Sequence, residues 1–164
     1  MPEKKTVERA RRDAREGKAP STQAGEFVRE EMEHIRKGKH GARSTKQAIA
    51  IGLSKARRAG VRLRPPRKGR TSEKTRKSAE RAYKKGQAHE PVSVTRSRAR
   101  EKALKREPRE AASRRALSQQ AHSAASRRTA ADRSAAARKA ARTKGPRKRS
   151  EAARKAARTR ARNA

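Results

Sequence analysis

Two short apolar stripes form the clearest pattern of hydrophobic and polar positions in the chain. The first stripe is Val28, Met32 and Ile35. The second stripe is Ile49, Leu53 and Ala56. In each, apolar residues recur at i, i+4 and i+7 and therefore share one face of a helix. Because neither face is stable in water alone, the pattern predicts two amphipathic helices packed as a hairpin over residues 22–60.

Helix start and stop signals support this prediction. Ser44 and Gln47 form an S-x-x-Q capping box at the start of the second helix, and Gly60 is expected to end it. The first helix is expected to start after residue 21 or 22 and to end before Gly38. The connection between the two helices is therefore short, as in a helical hairpin.

More polar helices are predicted on both sides of the hairpin. The predicted segments are 6–16, 73–85, 95–106, 108–143 and the residues that follow Ser150. Thr6 is the expected N-cap of the first of these, and Gly86 is the expected stop of the second. Gly145-Pro146 is expected to separate the last two.

Composition divides the chain into three parts. Apolar residues make up only 30% of it, and the large ones are concentrated before Arg64. We therefore expect an all-α protein with a small helical domain over residues 1–63. A basic Pro/Gly-containing linker with a short polar helix follows over residues 64–94, and an Ala/Arg/Lys-rich low-complexity tail over residues 95–164. Because low hydrophobicity and high net charge are typical of disordered chains, the tail is expected to be largely disordered or only conditionally helical.

Charge indicates the class of partner. Lys and Arg number 51 against 16 Asp and Glu, a formal net charge of +35. Residues 1–60 contain sixteen of the basic and eight of the acidic residues, so the other 104 residues carry a net charge of +27. The expected partner is a polyanion that neutralises this charge, namely nucleic acid, with DNA preferred and RNA as the alternative.

The octad AARKAART occurs twice in the tail, over residues 136–143 and 152–159. Its residues are strong helix formers, but arginines one turn apart repel each other on an isolated helix. Phosphates reverse that repulsion, so helix formation is expected to be coupled to nucleic-acid binding.

Two parts of the sequence resemble known families. The segments RSAAARKAARTKGPRKRS and SEAARKAARTRARNA resemble the C-terminal domains of linker histone H1 and the H1-like basic proteins of bacteria. That resemblance implies nonspecific nucleic-acid condensation, although arginine outnumbers lysine here and no winged-helix domain is apparent. The block STQAGEFVREEMEHIRKGKHGARSTKQAIAIGLSKARRAG is similar to a family of small basic bacterial proteins of unknown function, some labelled as plasmid-stabilisation proteins.

The predicted phosphate-binding residues lie in three places. Those in the tail are Arg138, Lys139, Arg142, Lys144, Arg147, Lys148, Arg149, Arg154, Lys155, Arg158, Arg160 and Arg162. Those in the linker are Arg67, Lys68 and Arg70. The linker residues resemble an AT-hook, an extended segment that lies in the minor groove, although Thr71 stands where its second proline is expected. Lys39 and Arg43 lie between the hairpin helices. They are expected to assist a phosphate held by Ser44, Thr45 and the free amides at the start of the second hairpin helix.

The sequence of the hairpin allows two further interpretations. Gly38-Lys39-His40-Gly41 is a basic GxxG like that of a KH domain, but because no strand is predicted, a helix end followed by a turn is favoured. The hairpin also resembles a helix-turn-helix with its second helix as reader. The reading residues would be Lys46, Gln47, Lys55, Arg57 and Arg58.

Catalytic, metal and cofactor sites are not expected. The chain has no cysteine and no recognisable catalytic motif, so we predict neither an enzyme nor a small-molecule substrate. Glu31-x-x-His34 is interpreted as a solvated helix face, and His40 lies in a separate polar segment. One Phe and one Tyr are too few for base-stacking modules. No apolar run is long enough to span a bilayer, and a cytoplasmic, nucleoid-associated bacterial protein is expected.

The leading hypothesis is therefore a histone-like, nucleoid-associated protein that binds duplex DNA without much sequence preference. The first alternative is an RNA-binding or ribosome-associated accessory protein. The second is a protein-interaction module at residues 22–60 that is tethered by the basic tail.

Overall fold

The computed structural model describes residues 2–163, and within them it contains helices and no strands. The α-helices are α1 (Lys4–Arg15), α2 (Pro20–Arg36), α3 (Thr45–Arg58), α4 (Glu73–Gln87), α5 (Val94–Leu104), α6 (Arg114–Ser126) and α7 (Ala130–Asn163). A single 3-10 helix covers Glu110–Ala112. The predicted all-α class is confirmed. The chain divides into two compact units, and the division falls after Gln120.

Helix α2 is the centre of the first unit. It packs against α1 and α3, so the predicted pairing of the two amphipathic helices is confirmed. One core cluster lies at the α1 side and contains Phe27 and Val61 together with Ala10, Ala24 and Ala56. The other lies towards the opposite end of α2 and is built from Met32, Ile35, Ala42, Ala48, Ala111 and Ala112.

Small side chains allow these helices to approach closely. A Cβ added at Gly52 of α3 would lie 2.7 Å from the Cα of Val28 on α2, so the two backbones are almost in contact at that point. Close-packed alanine and glycine bury backbone as well as side-chain surface, which is how this unit forms a core with few large apolar residues.

The first unit extends well beyond residue 63. Ala79 and Ala82 of α4 are buried, and α4 packs against α3. The predicted polar helix of residues 73–85 is therefore part of the first unit. The 3-10 helix is held on the other side, where Arg36 Nε donates to the Ala112 carbonyl at 2.9 Å and Thr45 Oγ1 donates to the Ala111 carbonyl at 2.7 Å.

Several predicted helix ends are confirmed. Ser44 Oγ accepts a hydrogen bond from the Gln47 amide at 3.2 Å, while Gln47 Oε1 accepts from the Arg43 amide rather than from Ser44 itself. Gly38 and Gly60 have φ values of 72° and 89°, the left-handed conformation of a glycine stop. The predicted starts of two helices lie too late in the sequence. The N-cap of α1 is Glu3 rather than Thr6, and α2 begins at Pro20 because proline suits the first helical position.

The prediction for Gly86 was wrong. It lies inside α4, which continues to Gln87, and α4 lies close to the end of α3 at this position. A Cβ at this position would lie 1.8 Å from the Arg57 carbonyl oxygen. Glycine is required here by the neighbouring helix and not by a turn.

The expectation of a disordered tail is not confirmed, because α6 and α7 make most of it helical. High helix propensity of Ala, Arg and Lys explains this, together with a local cap in which Thr129 Oγ1 accepts from the Asp132 amide. Gly145 is non-helical, with φ 69° and ψ 169°, so the predicted break is confirmed. The helix resumes at Pro146 rather than after Ser150. None of the helices over residues 2–163 is both long and apolar enough to cross a bilayer.

Candidate nucleic-acid interface

The predicted tail residues form a continuous series of exposed cations on α7. All twelve of them, from Arg138 to Arg162, are solvent-exposed. Over its whole length α7 contains thirteen basic and two acidic residues, and none of its residues is buried. Its surface is therefore cationic with almost no internal neutralisation, which is the electrostatic property that phosphate binding requires.

The two octads have the same local geometry. Thr143 Oγ1 donates to the Lys139 carbonyl at 2.9 Å, and Thr159 Oγ1 donates to the Lys155 carbonyl at 3.0 Å. Both threonines thus satisfy their hydroxyls within the helix, and the neighbouring cations remain outward. Arginines at i and i+4 are about 6 Å apart along the helix axis, so each octad presents a short cationic row.

Gly145 separates the two rows. Its φ/ψ values interrupt the helix, and Pro146 starts the second part. Arg149 Nε donates to the Gly145 carbonyl at 3.3 Å, and Arg147 forms an exposed ion pair with Glu151 at 3.3 Å. Arg147 therefore already has a carboxylate partner.

The linker residues do not form an extended AT-hook. The Arg70 amide donates to the Arg67 carbonyl at 3.2 Å, and Gly69 has a φ of 83°, which together describe a tight turn. The resemblance therefore fails at the level of backbone conformation, because an AT-hook needs an extended segment.

Arg67 and Lys68 instead line an open groove between the linker and α4. The other lining residues are Arg64, Pro65, Pro66, Arg76, Glu80, Tyr83 and Lys84. Tyr83 is the only tyrosine of the chain, and cations predominate around it. Reasoning from sequence missed the α4 residues of this groove because only tertiary packing brings that helix beside the linker.

Part of the expected phosphate site at the start of α3 is bonded to the protein itself. Thr45 Oγ1 donates to Ala111, and the Arg43 amide donates to Gln47. Lys39 Nζ bonds to Glu3 Oε1 at 2.9 Å, so this predicted phosphate ligand already has a carboxylate partner. Arg43 is exposed. Both basic residues predicted here are therefore exposed, but Lys39 is already paired with a carboxylate.

The GxxG segment is a packed turn. The Gly41 amide donates to the Leu104 carbonyl at 2.9 Å, and a Cβ on Gly41 would lie 1.8 Å from the Glu107 carbonyl oxygen. Its backbone is thus occupied by the segment that follows α5. A helix end followed by a turn, the interpretation favoured from sequence, agrees with this geometry.

Helix α3 lacks the exposed face with which a recognition helix contacts DNA bases. Lys55 Nζ lies 2.6 Å from Glu31 Oε2. Arg57 is buried and donates to the Leu63 carbonyl at 3.1 Å, and this burial lowers the pKa of its guanidinium. Because α4 also covers part of α3, the helix-turn-helix interpretation has no structural support.

The carboxylates of α2 are directed mainly inward. Glu30 and Glu31 are buried, and Glu26 Oε2 lies 2.6 Å from Arg9 Nε on α1. The interpretation of Glu31-x-x-His34 as a solvated helix face is therefore wrong. Glu33 is the carboxylate of α2 that is exposed.

No protein-family model, curated protein or solved structure matches this chain. The resemblances to linker histone tails and to small basic bacterial proteins therefore stay predictions.

Proposed function

We propose that this protein binds duplex DNA through its phosphates, with little sequence preference, and that α7 is the main binding element. The observation that carries the proposal is the exposure of thirteen basic residues against two acidic ones along this helix. Nonspecific nucleic-acid binding depends mostly on such charge neutralisation and the release of counterions. The role is one of binding rather than catalysis, and a nucleoid-associated, histone-like function in a bacterial cytoplasm follows from it.

The contacts are made to the nucleic-acid backbone rather than to bases. Base-stacking modules need several aromatic platforms. This chain has one Phe, one Tyr and no Trp, and Phe27 is buried, which leaves only Tyr83. Arginine-rich helices instead suit phosphates, since guanidinium groups form charge-assisted hydrogen bonds with them. The groove around Tyr83 supplies a smaller basic surface in the first unit.

A salt titration tests this mechanism. Binding of a labelled duplex of random sequence is measured by fluorescence anisotropy between about 50 and 200 mM salt, where log affinity should fall with log salt by about 0.9 per phosphate neutralised. The decisive variant replaces the three cations of each octad with glutamine. These residues are Arg138, Lys139, Arg142, Arg154, Lys155 and Arg158.

The glutamine variant is expected to reduce the slope by up to about 5, because six cations each contribute roughly 0.9. A matched control replaces only the four octad arginines with lysine, which keeps every charge and should keep the slope. If the glutamine variant retains the full slope, the octads do not bind phosphates and the proposal fails.

Two further measurements separate the alternatives. Competition between duplex DNA and structured RNA of equal length at one salt concentration decides the preferred nucleic acid. A tenfold preference for RNA would favour an RNA-binding accessory protein over a DNA-binding one. Circular dichroism at low salt tests coupled folding. A rise in helicity on adding DNA supports it, whereas an unchanged spectrum means that α7 is already helical before it binds.

A further inference from the structure

A buried cluster of histidine and carboxylate groups lies at one end of α2 in the first unit. Glu31 is completely buried, and the side chains of His34 and His40 are only 12% and 10% exposed. One possible ligand atom from each of these three residues lies within 4.8 Å of the other two. Glu31 and His34 are one helical turn apart on α2, and the turn after Gly38 brings His40 to them.

The Glu31 carboxylate is poorly satisfied by the rest of the protein. Within the described part of the chain, neither of its oxygens accepts a hydrogen bond of normal geometry. Lys55 Nζ forms an ion pair with Oε2 at 2.6 Å, and His40 Nε2 lies 3.3 Å from Oε1. Because Lys55 neutralises Oε2, Oε1 remains as the oxygen directed towards His40.

The tautomer of His40 makes this contact unusual. His40 Nδ1 lies 3.0 Å from the Gly41 carbonyl oxygen, which can only accept, so Nδ1 carries a proton. In the neutral ring, Nε2 then presents a lone pair to a carboxylate oxygen 3.3 Å away. Two electron-pair donors bound to one tetrahedral metal ion at 2.0–2.1 Å are separated by about 3.4 Å, close to this distance. A cation between them would convert a repulsive contact into two coordinate bonds.

His34 is oriented in a related way. Its Nε2 lies 2.8 Å from Glu3 Oε1, so the Nε2–H group donates to this carboxylate, and in the neutral ring Nδ1 has the lone pair. Histidines that bind metals usually donate their second ring N–H to a carboxylate or a backbone carbonyl. His34 has a carboxylate partner, and His40 has a backbone carbonyl partner.

The charges of the cluster also suit a dication. Glu3, Glu30 and Glu31 supply three negative charges, and Lys39 and Lys55 supply two positive ones. With both imidazoles neutral, the cluster carries one net negative charge around a buried carboxylate. A dication brings it to one net positive charge, the same as protonating both histidines, so metal ions and protons compete for the same place.

We propose that Glu31, His34 and His40 bind one divalent transition-metal ion, with zinc as the first candidate. Two imidazole nitrogens and one carboxylate oxygen match the donors that zinc prefers, whereas magnesium and calcium favour oxygen donors alone. Three protein ligands leave a fourth position for water. The ion joins α2 to the turn before α3 and so fastens the first unit. This site is independent of the proposed nucleic-acid function.

Titration of the full-length protein with zinc, followed by calorimetry, tests the site. One ion per chain is expected. Titration with Co²⁺ provides a second readout, since cobalt in a tetrahedral site absorbs strongly in the visible region. Glu31→Gln and His40→Ala should each reduce the affinity by more than about 100-fold, because they remove a ligand. Glu3→Gln removes no metal ligand but weakens the acceptor that His34 Nε2 and Lys39 Nζ share, and it should reduce the affinity by about tenfold.

His122→Ala is the matched control, because His122 is an exposed histidine outside the cluster. Its affinity and stoichiometry should equal those of the unchanged protein. Circular dichroism confirms that each variant is folded, and Glu31→Gln keeps the shape of the side chain if His40→Ala does not fold. An absence of binding at about 100 µM zinc, or equal losses in the His40 and His122 variants, overturns the proposal and leaves a cluster balanced by protons alone.

Discussion

Replacing Gly86 with alanine is expected to separate α4 from α3. The added Cβ would lie 1.8 Å from the Arg57 carbonyl oxygen and 2.9 Å from the Arg58 Cα. Both obstacles are backbone atoms, which cannot move aside by a change of rotamer. Since ordinary contacts begin near 3.5 Å, α4 must retreat by roughly 1.7 Å or its neighbour must bend.

This retreat lowers the free energy of unfolding of the first unit. Overpacking typically costs about 1–3 kcal/mol, and a collision with backbone belongs at the upper end of that range. The higher helix propensity of alanine offsets about 1 kcal/mol of this loss of stability. The net loss is therefore about 2 kcal/mol, or roughly 8 °C in the unfolding midpoint of a unit of this size.

Thermal unfolding monitored by tyrosine fluorescence is the suitable assay, because Tyr83 is the only tyrosine and lies on α4. Gly25→Ala is the matched control. Gly25 also lies inside a helix, but a Cβ there meets nothing within 4 Å, so this variant should gain about 1 kcal/mol. The two substitutions are thus expected to act in opposite directions. An unchanged midpoint for Gly86→Ala would refute the close packing of α4 on α3.

Two other substitutions test individual bonds of the first unit. Hydrogen bonds, first from Lys39, lower the pKa of Glu3 from 4.5 to about 2, so its ionised form stabilises the fold above pH 4.5 and this effect is lost as the pH falls towards 2. Glu3→Gln should therefore unfold at lower urea concentration at pH 7, and the two proteins should converge in acid; a constant difference at every pH would contradict this assignment. Thr45→Val leaves the buried Ala111 carbonyl without its donor and should cost about 1–3 kcal/mol in urea unfolding, whereas Thr71→Val, at an exposed hydroxyl, should change little. Equal effects of the two valine variants would argue against the buried bond.

Much of the local structure follows directly from the sequence. The apolar spacing of α2 and α3, the Ser44 cap and the glycine stops at 38 and 60 depend on interactions within a few residues, so a local pattern is sufficient to predict them. The exposure of the tail cations is predictable for a similar reason. Charged side chains without partners stay in water, wherever the helix that carries them lies.

Tertiary structure decided what the small and buried polar residues do. An alanine or glycine has no local signal that distinguishes a core position from an exposed one, so the burial of Ala79 and the close contact at Gly86 depend on the neighbouring helix. The same holds for the inward Glu31 with His40 and Lys55, which are distant in sequence and meet only when α2, the following turn and α3 pack together. Sequence alone determined the helices and the cationic surface, because these are local properties. Their packing determined which glycines are essential and where a metal ion can bind, because those depend on distances between segments.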